Sequence, residues 1–123
     1  IINSMKLDSV IFYTSNLDEA VAFYQKLGLE LEYREDDYAS FLLSDNVRLG
    51  LKEADEEREN PGHQAMILTT TDIKKLFIQM KKGEYKIYSP LEKYDWAETF
   101  SILDPDKNKI EFIERTEDIV QIS

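Results

Sequence analysis

Few side chains in this 123-residue sequence could carry chemistry, and their types narrow it at once. There is no cysteine and a single histidine, His63. Thiolate nucleophiles, disulfides and cysteine-bound zinc or iron–sulfur clusters are excluded, as is any metal site built from several imidazoles. His63 has no obvious serine partner for a Ser-His-Asp centre, and four glycines scattered singly make no phosphate-cradling loop. Carboxylates and aromatics remain. Glu111 stands alone in Ile110-Glu111-Phe112-Ile113. An ionised carboxylate in such company must be solvated or paired, and Arg48 or a ligand is the expected partner. Tyr94 and Trp96 lie in the acid-flanked stretch from Glu92 to Glu98, where they could stack on a ligand or hold a cation against their rings.

Lys and Arg total 15 against 25 Asp and Glu, a formal charge of -10. Such a field repels phosphate backbones and anionic lipid, and no basic stripe is evident to oppose it, so neither nucleic acid nor a membrane is expected as a partner. The longest apolar runs, such as Val10 to Tyr13, are far shorter than the roughly 20 residues that cross a bilayer. A soluble, cytoplasmic protein is expected. Residues Ile1 to Ser4 read as an appended remnant or frayed end. The runs Glu30 to Asp37 and Glu53 to Glu59 read as solvated faces and loops.

The elements that must position these groups come in two similar sets, and the length fits one globular domain holding both. A strand from Leu7 to Thr14 leads into a helix from Asn16 to Leu27, with Leu17, Val21, Tyr24 and Leu27 along one face and Gly28 as its stop. Strands follow at about Leu29 to Glu35, Tyr38 to Leu43 and Val47 to Lys52. The acidic connection of residues 53–62 leads to a second set. This is a strand from Gln64 to Thr70, a helix from Asp72 to Lys82 stopped at Gly83, and strands near Tyr85 to Tyr88, Glu98 to Leu103 and Lys109 to Glu114. Thr14 corresponds to Thr70 and Asn46 to Asn108, so the pattern is an internal duplication of a βαβββ module, about 5–53 and 63–115.

Two segments, Asn16-Leu17-Asp18-Glu19-Ala20-Val21-Ala22-Phe23-Tyr24-Gln25-Lys26-Leu27-Gly28-Leu29 and the hairpin from Phe100 to Phe112, make the chain resemble the vicinal oxygen chelate superfamily of glyoxalases, bleomycin-resistance proteins and extradiol dioxygenases. The resemblance implies an α+β fold in which two modules form one concave mixed sheet system with the helices outside. It also implies a homodimer. In metal-using members, ligands come from the first and last strand of each module. Carried over, those positions fall on Ser9, Leu49, Ala65 and Glu111, and only Glu111 keeps a ligating side chain. No metal cofactor is therefore expected, since one carboxylate does not hold a catalytic ion.

Strand alternation, taken without the family, places Val10, Phe12, Met66, Leu68, Ile110 and Phe112 against the helices. It places Ser9, Ile11, Tyr13, Leu49, Leu51, Ala65, Ile67, Glu111 and Ile113 on the opposite side. A mostly apolar hollow with a few polar groups suits a small-molecule ligand, with Ser9, Tyr13, Leu49, Ala65, Tyr94, Trp96 and Glu111 as its contacts. The resulting expectation is a binding protein of the bleomycin-resistance type that takes a cationic or aromatic ligand without metal. Two alternatives stay open: a metal-dependent lyase, isomerase or dioxygenase with displaced ligands, to which a bulge or register shift would bring His63, and a dimerisation module with a filled cleft.

Overall fold

The computed structural model describes residues 6–116, so the expectation for Ile1 to Ser4 lies outside the described residues. The chain divides into two compact units, one up to Gly62 and one from His63. The first holds β1 (Ser9–Thr14), α1 (Leu17–Leu27), β2 (Glu30–Arg34), β3 (Tyr38–Ser44) and β4 (Val47–Glu53). The second holds β5 (Ala65–Thr69), α2 (Ile73–Lys82), β6 (Lys86–Lys93), β7 (Ala97–Leu103) and β8 (Lys109–Arg115). Each unit is a four-stranded mixed sheet, in the order β1-β4-β3-β2 or β5-β8-β7-β6. The first and last strands pair in parallel and the other neighbours antiparallel. The architecture is α+β, two βαβββ modules. No described helix is long and apolar enough to cross a membrane.

In the first unit α1 is closed by local signals. Asn16 Oδ1 accepts the Glu19 N–H at 3.1 Å, and Asp18 and Glu19 sit at the positive end of the helix. Gly28, at φ 109°, takes the left-handed conformation that ends it. The apolar face of α1 buries Leu17, Ala20, Val21 and Tyr24, and the Tyr24 ring meets Phe41 of β3 at 6.1 Å. In the second unit the core is built on rings. Phe77 of α2 meets Phe100 edge-on at 5.1 Å, and Phe100 stacks on Phe112 at 5.0 Å.

The two helices end differently. Asp72 precedes α2 in the left-handed conformation, φ 52°, and its side chain makes no capping bond. The cap comes from β8 instead, where the Glu114 carboxylate accepts the Asp72 and Ile73 N–H groups at 3.0 and 3.1 Å. At the other end Gly83 has φ -78° and the left-handed residue is Glu84, φ 62°. Gly83 therefore serves close approach, because a Cβ there would lie 3.1 Å from the Tyr85 ring.

The turns before the last strands also differ, and this corrects the correspondence drawn from the two asparagines. In β3–β4 only Asp45 and Asn46 separate the paired Ser44 and Val47, and a bulge lies between Leu42 and Ser44. In β7–β8 five residues separate Leu103 from Lys109. Asn46 is left-handed at φ 60°, and the residue that shares this conformation is Lys107 at φ 74°. Asn108 has another task. It is buried, its amide donates to Asp104 Oδ2 at 2.9 Å, and its Oδ1 accepts the Gln64 N–H at 3.1 Å. The true counterpart of Asn46 is one residue earlier, so β4 and β8 align with an offset one smaller than the asparagines suggest. The strand expected near Tyr85 to Tyr88 is also longer and reaches Lys93. Register shifts on either side of Ser89 accommodate Pro90 on this edge strand.

The connection of residues 53–62 is not solvated throughout. Glu59 is only 5% exposed. Its carboxylate accepts the Lys52 ammonium at 2.7 Å and the Asp55 N–H at 3.0 Å. The hydrogen bond from Lys52 and then that from the Asp55 backbone lower its pKa to about 2. Lys52 is raised in turn by Asp55 and Glu59, and stays charged throughout the acid range. A carboxylate whose folded pKa is depressed stabilises the fold above its ordinary pKa of 4.5 and loses that effect as pH falls through the folded value. Glu59→Gln should therefore lower the melting midpoint by a constant amount above about pH 5. The gap to the parent should close toward about pH 2. A gap that does not change with pH would show that the charge on Glu59 is idle.

Candidate functional site

Strand pairing decides which side chains share a face. Phe41, which meets α1, pairs with Leu49, and Leu49 and Leu51 pair with Val10 and Phe12 of β1. Leu49 and Leu51 are thus helix-side core residues, 0% and 1% exposed. Their expected place on the open face is corrected by the one-residue difference between the turns, since a shift of one reverses every side chain of a strand. In the second unit Ile67 pairs with Glu111, and in the first Ile11 pairs with Gly50. Gly50, not Leu49, is the counterpart of Glu111, and the counterpart of Leu49 is the equally buried Ile110.

The open face of the second sheet gathers four of the residues singled out from sequence. Glu111 projects from β8 beside Ala65 and Ile67 of β5, away from the Phe100–Phe112 core. Its cationic partner is Lys109 at 3.1 Å, two residues earlier on the same face. Arg48, the partner expected from sequence, instead pairs with Glu32 at 3.0 Å. Tyr94 and Trp96 flank the tip of the β6–β7 hairpin, where the Tyr94 N–H donates to the Ala97 carbonyl at 2.8 Å. The Thr116 N–H ties the tip to the end of β8 by donating to the Trp96 carbonyl at 3.0 Å. The two rings stack at 5.8 Å and 19°, and they remain 43% and 44% exposed. The Arg115 guanidinium lies 5.8 Å from the Trp96 ring. The Tyr94 hydroxyl donates to Glu92 at 3.1 Å, and its pKa is raised first by that bond and also by the charge of Glu111. Ile67 adds an apolar surface that is 63% exposed.

Ser9 and Tyr13 lie on the open face of the first sheet with Ile11 between them. On the same face the Tyr38 ring covers Gly50, so that a Cβ there would collide with the Tyr38 hydroxyl and lie 3.0 Å from Cε1. Sequence reasoning missed Lys109, Arg115 and Tyr38. The alternation of Lys109 with Glu111 was the available signal for the first of these.

A family model for the glyoxalase/bleomycin resistance protein/dioxygenase superfamily matches residues 6–112. The chain belongs to that superfamily. A search of curated proteins gives no match. Among solved structures the chain is similar to TnmS3, an antibiotic-binding protein from Streptomyces, at 16% identity and TM-score 0.81, covering 91% of this chain and 97% of that one. It is also similar to a glyoxalase/bleomycin resistance protein/dioxygenase from Alicyclobacillus acidocaldarius, at 24% identity and TM-score 0.71, over 97% and 98% of the two chains. A third likeness is to a lactoylglutathione lyase from Agrobacterium tumefaciens, at 19% identity and TM-score 0.74, over 89% and 92%. At these identities the likenesses establish the fold.

The residues at the superfamily's metal-ligand positions do not fit an ion. With the register corrected they are Ser9, Gly50, Ala65 and Glu111. Glycine and alanine offer no side-chain donor and the serine hydroxyl is a weak one, so Glu111 is the one strong donor among the four positions. His63 precedes β5 as an exposed residue. Elsewhere, the carboxylates of Asp55, Glu56 and Glu59 converge, but the Lys52 ammonium already bonds two of them, at 2.9 and 2.7 Å.

The packing of Tyr38 over Gly50 is open to a double-mutant test. Gly50→Ala should destabilise the protein by about 1–3 kcal/mol through overpacking in urea melts, and adding Tyr38→Ala should recover most of that loss. Strict additivity of the two changes would show that the ring does not depend on the missing Cβ.

Proposed function

We propose that this superfamily member binds a planar, cationic small molecule without a metal ion, on the open face of its second sheet. The observation that carries this reading is the stacked, nearly half-exposed pair Tyr94 and Trp96 beside the Glu92 carboxylate, on the sheet face that also carries Glu111. Aromatic faces attract a cation through their quadrupole, and a nearby carboxylate adds charge that water only partly screens. Exposed large aromatics in one patch are otherwise hard to account for in an acidic, water-facing surface. The antibiotic-binding neighbour supports the class of ligand, although its ligand is its own. Ala65 and Ile67 supply the apolar floor. A homodimer belongs to the same proposal, because closed two-fold association is the commonest way such small domains shield open sheet surface.

Trp96 is the only tryptophan, so its fluorescence reads the site directly. Cationic aromatic dyes such as acridine orange should quench it saturably and raise the melting midpoint. Trp96→Ala should weaken binding, followed by dye anisotropy, by about 1–2 kcal/mol. Glu111→Gln should weaken it by about 1–3 kcal/mol. Stability should fall by no more than about 1 kcal/mol in the second variant, since the Lys109–Glu111 pair is partly exposed. Purified protein carrying stoichiometric metal and indifferent to every dye would favour the enzymatic alternative and sink this reading. For the dimer, sedimentation at micromolar concentration should give twice the chain mass, and a monomer there would contradict it.

A further inference from the structure

The outer face of α2 differs in kind from the rest of the protein. Its 10 residues contain Lys74, Lys75, Lys81 and Lys82 and no acid, while all 25 Asp and Glu residues lie elsewhere. These four lysines are exposed. Their spacing is regular with respect to Ile78, which is 52% exposed at the centre of the helix. Lys74 and Lys82 are four residues from Ile78 and Lys75 and Lys81 three, so all four are its nearest neighbours on the helix surface. Lys81 is further fixed by lying 5.4 Å from the Phe77 ring. The result is one apolar side chain ringed by ammonium groups, over a patch about 12 Å long.

This arrangement opposes the helix's own stability. Lys74 and Lys75 stand in the first turn, where the helix dipole disfavours cations, and that turn has no acid. The burden of closing this end falls on Glu114 of β8. In α1 the same turn carries Asp18 and Glu19, so the module does not require lysine here. Among the described residues no carboxylate lies within ion-pair distance of Lys74, Lys75 or Lys82.

We propose that this face docks an acidic peptide segment of a partner protein, with an apolar residue set between acids so that it covers Ile78 while the acids meet the lysines. Charge complementarity selects the occupant. A long polyanion or an anionic membrane would bring many charges against the net -10 of the whole chain, whereas a short acidic segment is confined to the local field of the helix. An apolar centre with a polar rim is also the anatomy of a protein interface. This site is separate from the aromatic patch of the second sheet and does not depend on the function proposed there.

The test uses the whole chain and fluorescence anisotropy with a labelled dodecapeptide carrying four glutamates around a central leucine. The intact protein should bind it saturably at about 20 mM salt, and about tenfold more weakly at 150 mM. Lys75→Gln/Lys82→Gln should weaken binding about fivefold or more, and Ile78→Ser about threefold. Lys6→Gln/Lys107→Gln, which removes the same charge elsewhere, should leave it unchanged. A peptide with glutamine for glutamate should not bind. Absence of saturable binding would overturn the proposal, as would equal losses in the two lysine pairs, which would reveal only the general field. Tighter binding of a 12-base-pair DNA duplex or of phosphatidylserine vesicles, abolished by Lys75→Gln/Lys82→Gln, would reassign the face to that class of partner and overturn it too.

Discussion

In each unit the strand that begins the module lies parallel to the strand that ends it, so β1 pairs with β4 and β5 with β8 across the whole length of the module. This pairing cannot form until everything between has been arranged. The helix must cross over, and the hairpin must return the chain with the right register. Once formed, it fixes which residues face the helix and which face outward. Position on the open face is therefore set by hydrogen bonding at long range rather than by the identity of the side chain, and a slip of one residue would invert it.

Polar side chains are used to hold this arrangement where the backbone alone leaves groups unpaired. Glu114 closes α2 from a strand more than 40 residues away in sequence. Asp104 accepts the Asn108 N–H at 2.7 Å within the turn, while Asn108 secures Gln64 just before β5. Glu59 draws Lys52 and the Asp55 backbone around itself. In each case a buried or half-buried group is satisfied by partners that arrive together only in the folded chain, and a buried polar group left unpaired would cost more than the bond contributes.

The duplicated plan was legible in the sequence because its signals are local. Asn16 and Gly28 bracket α1, and the apolar positions of both helices repeat at helical spacing. Ala65 and Glu111 were also legible as residues of one face, since alternation along β5 and β8 suffices for that, whereas Tyr94 and Trp96 were set near them only through the family resemblance. What failed depended on turn length. Asn46 and Asn108 share a residue type but not a conformation, so counting from them moved Leu49 to the wrong face and hid Gly50. Gly83 does end α2 where the sequence places the stop, but its neighbour Glu84 takes the left-handed turn and the glycine makes room for Tyr85. A bulge, a ring over a glycine or a cap supplied from another strand leaves no periodic trace.

Aligned by strand pairing rather than by turn residues, the chain contains two divergent copies of one ancestral segment. Their helix-side positions match Phe12 with Leu68, Ala39 with Phe100, Leu51 with Phe112 and Leu49 with Ile110, apolar in every case although the sizes differ. Their outward positions match Ser9 with Ala65 and Gly50 with Glu111, which have little in common. The helix-side positions of both copies are thus held to apolar chemistry by packing, while the outward positions are free to differ in size and polarity. A lineage built this way can acquire a new ligand by drift on one copy while the other, and the fold, stay as they were.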